Sequence, residues 1–454
     1  MKKVSLALLL VLIITVLGAC GDSETNDSQD IVEDSQDAVG VYSGFTTDPI
    51  TISFWNNFYG DAEDLLDVFI DEFKLMYPNI TIENSVFQYT TNVASRVLSV
   101  YPVQQEPTMV ATFSSHLAEL NGLTLPLDEF INDENYGINH SDFITDFVNE
   151  SKQFEGGKVL SLPVSKYTEI LVINKDKFVA NGLEIKTDEP YTWDELDTLA
   201  SILVGDGPDQ CEYLINYDKP AHLFTTGVAQ WDAGFTDSQG SILIDNPNTI
   251  LMLESIRDKF SSNTFAIPLI WRETYGSESF KAENVCMSVI RPAALVYYQS
   301  LNDAYEIEIG MLPQYDLDNL AYHQAGVNIA ILNTASDDEA LAAWLFTSYM
   351  TNTENAARWA LAAKSVPVRY SAFSTTIYTD FLNDPRPEDI YLSNAAYKVY
   401  LQIDDFIYIP SFDQRALKYN APMLLEQAEY AIEAASREDY TIEQIIGWIL
   451  EDLE

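Results

Sequence analysis

Downstream of residue 50 the apolar positions change period in a fixed order. Thr51 to Trp55 is a β-rich run, and Asn56 to Gly60 is a polar, aromatic turn. From Asp61 to Tyr77 the apolar residues Leu65, Leu66, Phe69, Ile70, Phe73 and Met76 recur at helical spacing, which gives a helix one apolar face. Acidic residues crowd its first turn, where the helix dipole favours negative charge, and Pro78 stops it. Ile80 to Ile82 then resumes as strand. A strand, a helix and a strand with short connections predict a parallel pair. Thr108 to Phe113 and Ile170 to Ile173 read as further strands. Helix starts are marked by side chains that cap exposed N–H groups: Thr192 with Glu195, Ser336 with Glu339, and Thr441 with Gln444. The C-terminal third is mostly helical. The pattern predicts an α/β fold, with helices covering open sheets.

The first 48 residues follow another pattern. Lys2 and Lys3 precede an apolar run, Val4 to Leu17, which ends in Leu17-Gly18-Ala19-Cys20. The run is too short to span a bilayer of about 30 Å, so it predicts a cleaved signal. Small residues before a cysteine are what a lipoprotein signal needs. Residues 1–19 are therefore expected to be a lipoprotein signal peptide, with Cys20 lipidated and the mature chain held on the extracytoplasmic face of the cell membrane. Gly21 to Asp48 is acidic, has no Lys or Arg and has few apolar residues. Such a segment cannot bury enough surface to offset its ordering entropy. Residues 20–47 are expected to be an acidic, disordered tether.

Charge narrows the partners. With 70 acidic and 24 basic residues the net charge is −46, which argues against a nucleic-acid partner. About 400 residues follow the tether, too many for one ordinary core, and two domains are expected. Beyond Cys20 there are two cysteines, Cys211 and Cys286. In an exported chain they pair as a disulfide or remain as two buried thiols. The four histidines have no metal-ligand spacing, so no metal and no cofactor are expected.

Several stretches resemble one family, the type II extracellular solute-binding proteins of sugar ABC importers. They are Ile52-Ser53-Phe54-Trp55 with Tyr77-Pro78-Asn79-Ile80, Leu162 to Asp176, and Tyr191 to Leu196. Then come Phe280 to Met287, Gly326 to Ile331, Thr351 to Trp359, and Lys364 to Arg369. They keep the family's order from Ile52 to Arg369. The resemblance implies a two-lobed, periplasmic-binding-protein-like fold of type II, with the ligand in a cleft that closes about a hinge. Lobe 1 is expected to hold 48–165 plus 326–353, and lobe 2 to hold 166–325 plus 354–454. Some relatives carry a similar cysteine pair, which favours the Cys211–Cys286 bridge.

The resemblance also places candidate ligand contacts. A sugar needs flat aromatic surface for its C–H faces and polar groups for its hydroxyls. Trp55 and Asn57 lie in the first strand-to-helix turn, where such sheets bind ligands, although Trp55 also suits the core. Tyr89 resembles a ligand-contacting loop tyrosine. Ser114 stands where relatives often supply an acidic or polar contact. Tyr167 replaces a smaller hydroxyl residue, and Trp231 resembles a lobe-two sugar platform. Arg291 stands where relatives have small or aromatic residues, and it either forks onto the ligand or pairs with a carboxylate. Gly326 lets backbone approach the ligand. Ser365, Trp271, Tyr275, Tyr297 and Arg415 are further candidates.

The expectation is a monomeric substrate-binding lipoprotein. It captures a mono- or oligosaccharide between its lobes, delivers it to an ABC permease, and does no chemistry on it. The alternatives are a tethered glycan-acting enzyme, or a binder of a non-sugar ligand such as glycerol-3-phosphate.

Overall fold

A computed structural model of the chain describes residues 42, 44–88, 91–120, 122–153, 155–234, 242–299, 305–407, 421–437 and 439–453. The expected signal peptide, Cys20, most of the expected tether, Tyr89 and Arg415 lie outside the described residues. In chain order the strands are β1 Ile50–Asn56, β2 Ile80–Val86, β3 Met109–Phe113, β4 Leu162–Tyr167, β5 Ile170–Asn174 and β6 Tyr213–Tyr217. They continue as β7 Phe265–Ala266, β8 Val285–Ile290, β9 Ile307–Met311, β10 Tyr322–His323, β11 Ala325–Ile331 and β12 Phe406–Ile407.

β1 and β2 are parallel from Ile50↔Ile80 to Asn56↔Val86, with helix Asp61–Met76 between them. This is the unit that the periodicity predicts. Leu66, Phe69 and Phe73 bury the apolar face of the helix. All three predicted caps are formed: Thr192 and Glu195 bond reciprocally, as do Ser336 and Glu339, and Thr441 and Gln444 do the same at the last helix.

The fold has two lobes, each a five-stranded sheet flanked by helices. The first sheet has the order β2-β1-β3-β11-β4, and the second has β7-β6-β8-β5-β9. β10 and β12 form a small separate sheet. The chain passes from the first sheet to the second between β4 and β5, through Thr168 and Glu169, and it returns through Gln324 into β11. Cys211 and Cys286 form a disulfide with Cα atoms 5.7 Å apart, tying the approach to β6 onto β8.

Three boundaries differ from the expectation. Tyr42 and Phe45 belong to the folded body rather than to a tether ending at 47. The Tyr42 ring lies 5.1 Å from Tyr136, and Phe45 lies 6.2 Å from Tyr77. Two aromatics in an otherwise polar segment gain enough by burial to order it. Lys166 and Tyr167 complete β4, so they pair with Gly326 and Ala325 of the first sheet. Helix Thr353–Ala363, expected with lobe 2, packs on helix Asp61–Met76 and β4. Its Trp359 is fully buried and lies 4.7 Å from Phe58. The later helix Ile390–Leu401 packs on β9 and β5.

Candidate functional site

The loops after β1, β6 and β8 and the two crossovers converge on one cluster. Arg291 follows β8 and is half-buried. It donates a hydrogen bond to the phenol of Tyr167 at the end of β4, and Tyr59, Tyr275 and Asp218 lie within electrostatic reach of its guanidinium. Burial pushes the Tyr167 phenol up, against the pull of Arg291. Tyr59 and Tyr275 keep 56% and 41% of their surface exposed. Lys219, after β6, sits 5.1 Å over the Tyr275 ring. Asp218 is buried. It accepts from the backbone N–H of Gly276 at 2.6 Å and from the Tyr298 hydroxyl at 3.2 Å. Burial raises its carboxyl above the usual range.

The crossovers and the elements beside them carry a second set of polar groups, almost all buried. The Lys166 ammonium is ion-paired with Glu150 and donates to Ser114 Oγ at 2.8 Å. Burial pushes Lys166 down, and Glu150 opposes that shift. Ser114 Oγ in turn donates to the Gly326 carbonyl at 3.1 Å. Beside them the His222 and His323 rings lie 4.4 Å apart, and His222 Nδ1 is 3.0 Å from Glu169 Oε1. His323 is held well below its ordinary pKa, first by burial and then by the charges of His222 and Lys166. Thr168 Oγ1 donates to the His323 carbonyl at 2.8 Å, which ties the two crossovers together. Gln402 Nε2 donates to the Glu169 carbonyl at 3.0 Å. A buried charge is tolerated only when it is paired and hydrogen-bonded, and these groups meet that condition.

The structure brings Tyr167, Arg291 and the lesser candidate Tyr275 together. Asn57 is buried at the end of β1, where its amide donates to the Thr91 carbonyl at 3.2 Å. Ser114 belongs to the hinge network. Gly326 also serves the hinge. Its φ is +144°, and a Cβ there would lie 2.1 Å from the Ser165 carbonyl oxygen. β11 thus approaches β4 as only glycine permits, so its smallness serves strand packing rather than approach to a ligand.

Trp55 packs in a small separate core with Val93, Val97 and Val110. Its ring is 5.3 Å from Phe87, with Arg96 over both rings. Trp231 closes the C-terminal end of helix Pro220–Gln230, its ring tilted 34° to that of Tyr315 at 4.2 Å. That is one helix length, about 16 Å, from Lys219. Neither tryptophan is shown against the Arg291 cluster. Trp271 is bonded to exposed Glu212 at 3.3 Å. Tyr297 is 63% exposed, and Ser365 Oγ is buried without a partner among the described residues.

Sequence reasoning missed Glu150, Lys166, Glu169, His222 and His323 altogether, and it passed over Tyr59 and Lys219. A local signal existed for the last two only, because each sits just after a predicted or observed strand. Among the described residues no group of three His, Cys, Asp or Glu is placed to hold a metal.

Residues 69–383 match the family model described as bacterial extracellular solute-binding protein. The sn-glycerol-3-phosphate-binding periplasmic protein UgpB of Salmonella typhimurium is 20% identical over 360 residues, 74% of this chain and 78% of that protein. Two solved structures share the fold. The cyclic alpha-maltosyl-1,6-maltose binding protein from Arthrobacter globiformis superposes with a TM-score of 0.70 at 17% identity, over 89% of this chain and 100% of that one. UgpB from Mycobacterium tuberculosis, solved with glycerophosphocholine, also gives 0.70 at 17% identity, over 89% of this chain and 97% of that one.

Proposed function

The chain belongs to the family of bacterial extracellular solute-binding proteins, and from that premise we propose that it captures a carbohydrate or carbohydrate derivative between its two lobes for an ABC importer. The observation that carries the reading is the cluster of Arg291, Tyr167 and Tyr59 at or just past strand ends of both sheets, with Tyr275 from the segment before helix Ser277–Lys281. Phenol rings supply flat apolar faces, and phenol hydroxyls and a guanidinium supply the directional bonds a polyol needs. Tyr59 comes from the first lobe and Arg291 from the second, so rotation about the crossovers would seal a ligand between them.

The protein acts as a binder and not as an enzyme. The two carboxylates near the cluster, Asp218 and Glu169, are both engaged, by Gly276 and Tyr298 and by His222. Neither is presented as a free acid or base. The matched relatives named for sugars and for glycerol-3-phosphate support a polyol-like ligand. Diacylation of Cys20 would hold the monomer at the membrane, since stable anchoring takes two chains. Fatty-acid labelling of the wild type, absent from Cys20→Ala, tests the anchor.

Calorimetric titration with mono- and oligosaccharides, followed by mass spectrometry of the recovered ligand, tests the function. Saturable binding with ligand returned intact is expected. Cleaved or modified ligand would overturn the binder reading.

A further inference from the structure

A cavity outside the Arg291 cluster lies between the two lobes. Among the described residues its walls are rich in carbon: Leu361, Phe381, Leu392, Ala396 and Val399 line it, and Lys364, Ser365 and Tyr378 are its polar members. Leu361 belongs to helix Thr353–Ala363, which packs on β4 of the first lobe. Leu392, Ala396 and Val399 belong to helix Ile390–Leu401, which packs on β9 and β5 of the second. Each lobe therefore supplies a wall. The space has room for a small substituent and not for a sugar ring.

Three links place the cavity beside the cluster. Pro292, in its lining, directly follows Arg291. The N–H of Val366, also in the lining, donates to the Lys166 carbonyl at 2.7 Å, one residue before Tyr167. Lys364 lies 3.4 Å from Asp61, two residues after Tyr59. The cavity thus borders Arg291, Tyr167 and Tyr59. Within its lining the Ser365 hydroxyl is buried without a partner among the described residues. A buried water is held by about two to four polar partners, and these walls offer few. The arrangement suits a group with one hydrogen-bond acceptor and an otherwise apolar surface, which gains by leaving water.

We propose that the cavity is a subsite of the cleft and takes an acetyl group carried by the sugar, as an N-acetyl or an O-acetyl substituent. The inference rests on the cleft reading above and deepens it. The acetyl carbonyl accepts a hydrogen bond from the Ser365 hydroxyl, which gives that buried group its partner. The acetyl methyl lies against Leu361 from the first lobe and against Leu392 and Ala396 from the second. A group that touches both lobes at once favours their closed arrangement. The phenols of the cluster and Arg291 take the ring and its hydroxyls.

The test is titration of the full chain with sugars in pairs. N-acetylglucosamine is set beside glucose, diacetylchitobiose beside cellobiose, and an O-acetylated xylobiose beside xylobiose. At least one acetylated probe should bind about 10-fold tighter than its counterpart, the gain for one buried methyl and one hydrogen bond. Amide or ester is then read from which pair shows the gap. Ala396→Leu, at a half-buried position, fills the cavity and should abolish the gap. Ser365→Ala should narrow it by about 2- to 10-fold, the range for one lost neutral hydrogen bond. Unfolding midpoints check that both variants fold. Should Ala396→Leu fail to fold, Ser365→Ala decides alone, because it removes one oxygen and creates no overlap. Equal affinities within every pair would overturn the inference and leave the cleft reading standing. Binding of no sugar would overturn both. A gap that survives unchanged in the folded variants would seat the acetyl group elsewhere and sink the assignment of this cavity.

Discussion

Lys166 and Arg291 are both removed from bulk water, yet they are treated in opposite ways. Lys166 has no exposed surface and is bonded to Glu150 and Ser114. Arg291 is only half-buried and has a phenol where a carboxylate would be expected. The first arrangement is closed by its own partners deep in the hinge, whereas the second lies at the half-buried cleft wall, where we propose the ligand binds.

The comparison breaks first at Lys166. Lys166→Met should lower unfolding free energy by about 3–5 kcal/mol, because it leaves Glu150 buried and unpaired. Urea denaturation measures this, and adding Glu150→Leu should recover part of the loss. Gly326→Ala comes next. It forces φ +144° on a residue with a Cβ and drives that atom into the Ser165 carbonyl, for a loss of roughly 1–3 kcal/mol or more.

Acid should loosen the hinge by a smaller amount. His323 has its folded pKa lowered from 6.5, so below about pH 6.5 the unfolded chain binds a proton that the folded chain refuses. Stability is then complete above the unfolded value and falls as pH drops below it, by at most about 1.4 kcal/mol per pH unit. Urea titrations at pH 7.5 and 5.5 should show this slope in the wild type and a shallower one in His323→Gln. Equal slopes would mean that His323 does not report on the hinge. The smallest stability effect belongs to the cleft wall. Tyr59→Ala, at a residue 56% exposed, should change stability by less than about 0.5 kcal/mol. The same variant should weaken ligand binding in calorimetry.

Much of this fold was legible in the sequence because its signals are local. The face Leu66–Phe69–Phe73 lies within one helix, Pro78 ends that helix, and each capping pair spans three residues. The hinge network was not legible. Glu150 and Lys166 are 16 residues apart, and Glu169 and His222 are 53 apart. In a chain so rich in acid, each carboxylate reads as solvated surface until the fold brings its partner. The tryptophans were ambiguous for another reason. A large aromatic ring serves equally as a sugar platform and as core, and only its neighbours decide. Phe87 and Tyr315 are those neighbours for Trp55 and Trp231. Arg291 was legible as a residue at the end of a predicted strand, with ligand contact and carboxylate pairing both open, whereas its phenol partner Tyr167 comes from β4 of the other sheet.

Small-angle scattering of the full chain, free and saturated with a ligand found by titration, tests the central claim most directly. A cleft that seals a ligand between Tyr59 on one lobe and Arg291 on the other predicts a smaller radius of gyration on binding. An unchanged profile at saturation would contradict closure about the crossovers.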